Sequence, residues 1–443
     1  MLPKPLFSAL NCGKKNLCIS ALALLPAISF ANMGNSPSTY GLLPTDIASA
    51  QAMSIFNSQT SAVYYNPAAL AQDERGELNL GMLHADHDLK ANGKTIYNSP
   101  SQQVQIGMKT DLSDLTDSHH PIYFAFMAGV EKYGGEMMSF SSSTSNHGQY
   151  MQYGRQPLFL SLGGATKLWR GIDAGVALRT TLHSSAKLKT YTDLAGNMDY
   201  EELDVSAEPV LRPIVGVSMN VGETFCPDTS CWMDNLDVAL SYRGRSNTKM
   251  KIDANTTIPG TIPDPGLSLA VVTLDSFQPD ITALGVKYDL GESRIAATLE
   301  YQAWQRLNKE LEKDTIKGDA GIYPQDIVIP RLAVEFDLDD IFTLTLGAAY
   351  EKAALHKDLR STLNVNYLDA NKTIAGIGLA AELPKITGIA KPIRLDVGYQ
   401  YHNLSKRNFD LTSTDPATPA NPYGRVQTSG DVHVFSGSIT MKF

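Results

Sequence analysis

A period-two alternation of apolar and polar residues constrains this sequence more than any other feature. In KPIRLDVGYQYHNL, Ile393, Leu395 and Val397 fall on one face of an extended chain, and Arg394 and Asp396 fall on the other. Because successive side chains of a β-strand point to opposite faces, the pattern predicts a strand with one apolar and one polar face. Its recurrence predicts about fourteen strands, near 77–89, 95–108, 121–133, 157–168, 171–191, 207–221, 236–252, 278–290, 293–304, 326–337, 341–354, 372–382, 391–404 and 431–443.

The connections between these segments alternate in length once the first hairpin has passed. Short ones such as WRG, GES and LDD are separated by long ones, among them 134–156, 253–277 and 305–325. This order puts the long connections at one end of the strands, which is typical of outer-membrane barrels. A soluble β-sandwich also alternates, but it has no reason to sort its connections. We therefore predict an all-β fold, a closed transmembrane antiparallel β-barrel of about 14 strands.

The N-terminus predicts an export signal. Lys4, Lys14 and Lys15 form a basic region, and the apolar run LCISALALLPAISFA follows, ending in a small-x-small cleavage site at Ala31. The alternative is an N-terminal anchor, although the apolar run is short for a membrane span. We assign residues 1–31 to the signal peptide.

The segment between the signal and the first strand does not alternate. Residues 32–76 are rich in Ala and Ser and contain the tripeptide Asn66-Pro67-Ala68. Pro67 fixes its own φ and keeps Asn66 out of the helical region, so the tripeptide is a rigid corner. We predict that 32–76 form a small N-terminal hatch, which plugs a barrel formed by 77–443. A disordered tail is the alternative, and the apolar residues of the segment argue against it.

Charge and cysteine content narrow the function classes. The formal net charge is −9, and loss of three lysines with the signal makes it about −12, so nucleic acid is not an expected partner. After removal of the signal, the cysteines that remain are Cys226 and Cys231, in CPDTSC. A close pair in an exported chain predicts a local disulfide. A zinc site would need two further ligands, and neither a metal nor a cofactor is predicted.

Two motifs give the sequence a resemblance to the FadL/TodX family. The stretch AVYYNPAAL at 62–70 resembles the aromatic-Asn-Pro-Ala stretch at the end of that family's N-terminal hatch. Tyr133-Gly134-Gly135 in GVEKYGGEM is similar to the Tyr-Gly at which the family's third strand kinks inward and opens a gap in the wall. The resemblance extends over essentially the whole mature chain.

The resemblance implies passive uptake of long-chain fatty acids or similar hydrophobic compounds. In such a transporter, a ligand is captured in an external apolar groove, moves to a lumen pocket, and leaves sideways into the membrane when the hatch shifts. The alternatives are a general porin or adhesin, and less favoured is an outer-membrane lipase. No nucleophile motif supports catalysis, so a non-enzymatic role is expected.

Ligand-contacting residues are predicted in two sets. The long connections contain apolar side chains that an exposed loop does not need, which indicates a ligand groove; its residues are Met137, Met138, Phe140, Leu267, Leu269 and Val271. Arginines on the polar faces of strands are candidate partners for a carboxylate, because their guanidinium groups form bidentate hydrogen bonds with it. These are Arg179, Arg243, Arg294, Arg331 and Arg394, and a salt-bridged lattice in the lumen is the alternative role.

The remaining expectations concern location and partners. The last segment, DVHVFSGSITMKF, alternates and ends in Phe443, like the terminal strand that the barrel-insertion machinery recognises. The sequence therefore predicts a multi-pass barrel in the outer membrane of a Gram-negative bacterium. Its expected partners are a hydrophobic small molecule, outer-membrane lipid and lipopolysaccharide, and a monomer is expected.

Overall fold

The computed structural model describes residues 32–33, 35–95, 100–113, 120–132, 138–142, 145–151, 158–192, 198–226, 231–258, 262–307, 309, 324–356, 368–384, 391–410 and 425–443. The backbone without side chains is described within 32–33, 138–142, 145–151, 182–192, 198–208, 247–258 and 262–276 and at 410 and 425. Among the described residues, no helix is long and apolar enough to cross a membrane. The predicted signal at 1–31 lies outside them.

Fourteen strands of the described chain form one closed antiparallel barrel. Each strand pairs with the next along the chain, and the barrel closes where the first strand pairs with the last, Glu77 opposite Lys442. The strands are β1 Glu77–Ala91, β2 Ser101–Asp111, β3 Ile122–Lys132, β4 Leu158–Trp169, β5 Ile172–Thr192, β6 Met198–Asn220, β7 Leu236–Arg243, β8 Ile281–Asp289, β9 Ser293–Gln302, β10 Ile327–Asp337, β11 Phe342–Glu351, β12 Lys372–Leu383, β13 Ile393–Asp410 and β14 Arg425–Lys442. The predicted fold is confirmed.

The barrel is apolar outside and polar inside. On β13, Val397 is 59% exposed, whereas Asp396 on the opposite face is buried, together with Gln400. On β9, Leu299 points outward and Glu300 inward in the same way. An apolar outer face is what lipid requires, and the closed ladder leaves the backbone no unpaired edge.

One predicted strand and one predicted loop were wrong. We expected a strand over 236–252 and a loop over 253–277, but β7 ends at Arg243, and Ser246–Ile258 and Ile262–Gln278 form a separate hairpin. This hairpin is not part of the barrel wall, because β7 pairs directly with β8. Its first strand instead runs parallel to the end of β5, with Ile252 opposite Ala186. Alternation continues through both parts, so the sequence pattern does not show where the chain leaves the barrel.

Residues 35–71 lie inside the barrel, and residues 72–76 connect them to β1. Together these residues form helices α1 Ser36–Thr39, α2 Pro44–Ala48 and α3 Ala62–Tyr65 and the 3-10 turns Ser54–Phe56 and Pro67–Gln72. Between 36 and 71 the residues are buried, apart from a few partly exposed polar ones. Helix α2 contacts β11 to β14, and the turn at 67–72 contacts β3 to β6, so the segment reaches across the lumen. We refer to residues 35–76 as the hatch.

Other short elements complete the fold. Between β6 and β7, helix α4 Val221–Phe225 and the 3-10 turn Trp232–Asn235 flank a disulfide between Cys226 and Cys231, whose Cα atoms are 6.4 Å apart. Lys94–Thr95 extends the first hairpin, and Met138–Ser142 pairs with Ser145–Met151. Asn32–Met33 pairs in parallel with Ser276 and Phe277, which lie on the second strand of the separate hairpin, Ile262–Gln278.

The inner wall is shaped to admit the hatch. Gly175 on β5 and Gly216 on β6 are paired opposite each other. A Cβ atom on Gly216 would overlap the side chain of Asn66, and one on Gly175 would overlap the backbone of Pro67. The absence of side chains at these two positions therefore lets the hatch approach the wall.

We expect Gly216→Val to loosen the hatch without preventing assembly of the barrel. The added side chain must displace Asn66, and overpacking of this kind costs about 1–3 kcal/mol. Planar-bilayer recordings should then show ion conductance that the wild type lacks. Gly437→Val is the matched control, because its Cβ would meet no atom closer than the Asp396 carbonyl oxygen at 3.9 Å. Equal conductance in the two variants would contradict the expected fit.

Candidate functional site

Asn66 fixes the hatch corner against the barrel wall. Its Nδ2 donates to the Ile55 carbonyl oxygen at 2.8 Å and to Ser218 Oγ at 2.9 Å, and its Oδ1 accepts from the Ala68 N–H at 3.3 Å. The backbone of Asn66 is extended, with φ of −157°, and Pro67 begins the following turn. The predicted corner Asn66-Pro67-Ala68 therefore lies within the lumen, fully buried beside β6.

Asp46 holds a turn in the N-terminal half of the hatch through its hydrogen bonds. Its carboxylate accepts hydrogen bonds from the Leu43 N–H at 2.9 Å and from Ser54 Oγ at 2.7 Å. Burial raises the pKa of the Asp46 carboxyl, and these hydrogen bonds oppose that shift. The turn between these partners contains Ala50 and Gln51 at φ of 47° and 65°, a left-handed conformation that non-glycine residues seldom adopt.

Tyr64, two residues before the corner, lies among three guanidinium groups. The ring centroid is 5.2 Å from Arg179 Cζ, 5.9 Å from Arg212 Cζ and 5.0 Å from Arg243 Cζ, which are cation–π distances. Arg179 and Arg212 are register partners on β5 and β6. Arg243 ends β7, the next strand. We call Arg179, Arg212 and Arg243 the arginine cluster.

Two carboxylates neutralise part of this positive charge. Glu131 pairs with Arg179 at 3.0 Å, and Glu300 pairs with Arg243 at 2.5 Å and with Arg331 at 3.4 Å. All of these side chains are buried. The arginine cluster and Arg331 bring four positive charges, so these two carboxylates leave an excess of positive charge beside Tyr64.

Several N–H groups of the arginine cluster have no hydrogen-bond partner within the described protein. They are Nε and Nη1 of Arg179, Nη1 of Arg212, and Nε and Nη1 of Arg243. A buried donor without a partner costs about 1–3 kcal/mol, and more when it is charged. The cluster therefore has donors available for an anionic group.

Of the five predicted arginines, three lie in or beside the arginine cluster and two lie elsewhere. Arg179 and Arg243 lie in the cluster, and Arg331 joins it through Glu300. Arg294 pairs with Glu335 at 3.2 Å and Asp337 at 2.6 Å, close to the short turn between β10 and β11, and Arg394 pairs with Asp396 at 2.8 Å. Arg212 was not among the predicted residues. Its alternation with Ile214, Gly216 and Ser218 was the available signal, but Pro209 and Pro213 beside it obscure the strand pattern.

Part of the lumen wall is apolar, and the alternation of the sequence did not predict this. On β10, Ile327 and Ile329 point inward and are buried, although their neighbours Val328 and Pro330 are exposed on the outside. They pack with other apolar side chains toward the end of the barrel that bears the long connections. We call this set the apolar lumen cluster; it comprises Phe277, Trp304, Leu307, Ile327, Ile329, Ala349, Ala354 and Ile374, with Ala50 of the hatch against it.

The predicted strand kink and ligand groove are largely beyond the described part of the chain. Tyr133, Gly134, Gly135 and Met137 lie outside the described residues. Met138 and Phe140 lie on the strand Met138–Ser142, and Leu267, Leu269 and Val271 lie on the strand Ile262–Gln278, with side chains outside the description. A role for these residues in ligand capture stays a prediction.

The hatch is tied to the strand that leads into the predicted kink. Glu131 is the second-last residue of β3, and its Oε1 accepts the Ser36 N–H at 3.1 Å, while its Oε2 pairs with Arg179. Asn35, which caps α1, accepts a hydrogen bond from the Tyr64 hydroxyl at 3.3 Å. One carboxylate thus connects the start of the hatch, the arginine cluster and the end of β3.

The fold and the filled lumen define a class of protein, a transmembrane β-barrel closed by its own N-terminal segment. The sequence is 44% identical to alkane uptake protein A of Marinobacter nauticus, over 100% of this chain and 98% of that protein. No family model matches the sequence.

Solved structures have the same fold. A Pseudomonas aeruginosa FadL homologue superimposes with a TM-score of 0.60 at 11% identity, over 90% of this chain and 98% of that chain. The toluene transporter TodX of P. putida superimposes with a TM-score of 0.52 at 13% identity, over 91% and 99%. This chain belongs to the FadL family of outer-membrane transporters, and it resides in the Gram-negative outer membrane.

We expect Glu300→Gln to destabilise the barrel strongly, because Arg243 and Arg331 lose their shared buried carboxylate. Removing one partner of a buried ion pair costs about 3–5 kcal/mol. Urea unfolding in detergent micelles, followed by tryptophan fluorescence, measures the loss. Glu335→Gln is the control, since that carboxylate is partly exposed and Arg294 keeps Asp337. Equal losses in both variants would show that Glu300 has no special role in the lumen.

Proposed function

We propose that this protein carries hydrocarbons, in the first place alkanes, across the outer membrane without an energy source. The observation that carries the proposal is the filled lumen, in which the hatch is buried and the apolar lumen cluster lies against it. The relative from Marinobacter nauticus is named for alkane uptake, which supports the same class of compound. A general porin or adhesin does not require a hatch, and this passive route requires no catalytic residue.

Apolar contact supplies the driving force for capture. Burial of apolar surface contributes about 25 cal/mol per Å², so an alkyl chain gains free energy when it leaves water for side chains such as Trp304 and Ile329. An open aqueous pore offers no such gain. In this scheme, capture begins at the predicted external groove, and the apolar lumen cluster is the inner station.

The hatch has the features of a part that moves. Its helices contain only four or five residues each, and helices this short are not stable by themselves. Their conformation therefore depends on contacts with the wall, including those of Asn66 and Ser36. A shift of the hatch would open the lumen toward a lateral exit, for which Tyr133-Gly134-Gly135 is the predicted place.

We expect Asn66→Ala to change transport more than folding. The side chain loses three hydrogen bonds, each with a net value of about 1 kcal/mol, so the hatch should open more often. Cells with the wild type should take up hexadecane, and its proteoliposomes should not swell in sugar solutions. Proteoliposomes with Asn66→Ala should swell.

Asn403→Ala is the control for this experiment, since Asn403 is exposed on β13. An Asn66→Ala protein that fails to insert, with no separate transport defect, would make the corner purely structural. Rapid swelling with the wild type would favour a general porin instead.

The arginine cluster supports a second candidate, the uptake of long-chain fatty acids. Its unpartnered N–H groups and its excess of positive charge suit a carboxylate. A neutral alkane would make no use of these donors. Fatty acid and alkane share the alkyl chain, so the same lumen could accept both, and only the head group separates the two candidates.

We expect Arg212→Gln to separate these candidates. Hydrogen bonds to charged groups contribute about 1.5–3 kcal/mol, so hexadecanoate uptake should fall about tenfold if the cluster binds its carboxylate. Hexadecane uptake should stay at the wild-type level. Arg294→Gln is the matched control, because Arg294 lies away from the cluster and is paired with acids. Unchanged hexadecanoate uptake in Arg212→Gln would exclude the cluster as a carboxylate site.

A further inference from the structure

The hydrogen-bonded ladder between β10 and β11 is interrupted. Their register ends at Arg331 opposite Ala349, although both strands continue. Beyond this point β10 still pairs with β9 and β11 still pairs with β12. The two chains meet again above it, where the Gln325 N–H donates to the Ala354 carbonyl oxygen at 2.7 Å. The interruption is therefore a bounded window, whose sides are residues 326–330 and 350–353.

The sequence gives a physical cause for the interruption. Pro330 directly precedes Arg331, the last paired residue of β10, and proline has no N–H group to donate to a neighbouring strand. The two sides also differ in length, because 326–330 has one residue more than 350–353. A register that is out of step by one residue cannot continue without a bulge.

Apolar side chains lie on both faces of the wall beside this window, although the partly buried ion pair of Glu351 and Lys372 also borders it. On the inside lie Ile327, Ile329 and Ala349 of the apolar lumen cluster. On the outside is a hollow of about 510 Å³ that reaches Pro330 and Tyr350. Its other apolar lining residues are Leu284, Val286, Ala297, Leu299, Leu332, Ala348 and Ala349.

The hatch lies against the inner side of the same wall. Arg331, at the lower edge of the window, donates from Nη1 to the Ala50 carbonyl oxygen at 2.9 Å. Ala50 is one of the two non-glycine hatch residues with a left-handed backbone, and a Cβ on Gly347 of β11 would overlap the adjoining Ser49. Strained residues persist only where surrounding contacts hold them, so release of this contact would let the hatch turn move.

We propose that the window between β10 and β11 is a lateral portal, through which the alkyl chain of the transported compound passes between the apolar lumen cluster and the membrane. The inference rests on the proposed hydrocarbon uptake and adds a route to it. The portal lies seven strands from β3, on the opposite side of the fourteen-strand barrel from the predicted kink.

A cross-link across the window tests this route. Val328→Cys with Lys352→Cys places thiols on the two sides, and both positions are exposed. Leu332→Cys with Ala348→Cys is the matched control, because these exposed residues are partners in the intact ladder just below. A short bifunctional thiol reagent joins each pair. Hexadecane uptake should fall after cross-linking of the window pair and stay at the wild-type rate after cross-linking of the control pair.

A second readout does not depend on transport. Trp304 belongs to the apolar lumen cluster, and Trp169→Phe with Trp232→Phe leaves it as the sole tryptophan. In lipid-free micelles, 1-bromododecane should quench Trp304, and cross-linking of the window should slow this quenching. Quenching that is equally fast after cross-linking of the window overturns the portal, and so does an absence of quenching in the uncross-linked protein.

The two readouts keep the proposals apart. Gated quenching without any cellular uptake would support the portal and refute the proposed function. Uptake that continues at full rate after the window is cross-linked would refute the portal and leave the proposed function standing.

Discussion

The structure depends on the pairing of backbone N–H and C=O groups in a medium that offers them no water. A closed antiparallel barrel satisfies these groups, and its fourteen strands do so by pairing β1 with β14. Closure fixes the side-chain faces, since Val397 must meet lipid when Asp396 meets the lumen. It also makes any interruption of the ladder significant, and the one beside Pro330 has apolar side chains on both faces of the wall.

A barrel of this size encloses more space than its own side chains fill, and the hatch occupies it. The hatch is held by apolar packing against the wall and by close approach to its glycines, and also by polar contacts such as that of Asn66 with Ser218. Such contacts can be exchanged for others at small net cost, because each hydrogen bond contributes only about 1 kcal/mol. The same lumen combines an arginine cluster with an apolar region, so it can accommodate an alkyl chain with or without a charged head group.

Much of the barrel could be predicted from sequence because alternation is a local property. It located the strands, and it put Arg179, Arg243 and Arg331 on inward faces, where the structure has them. It failed at Gly244, where alternation continues although the chain leaves the barrel. It also failed at Arg212, which lies between two prolines, and at Ile327 and Ile329, because a strand that is apolar on both faces gives no contrast.

The sequence by itself determined that the chain is a membrane barrel with a separate N-terminal segment, since both conclusions need only the order of polar and apolar residues. Tertiary structure alone decided which residues meet. Tyr64 lies far in sequence from Arg179, Arg212 and Arg243, yet the strand register brings the three guanidinium groups around its ring. Likewise, Pro330 reads as an unremarkable outward residue until the register of β10 and β11 shows that their ladder stops there. Such contacts depend on the closure of the whole sheet, which no local pattern specifies.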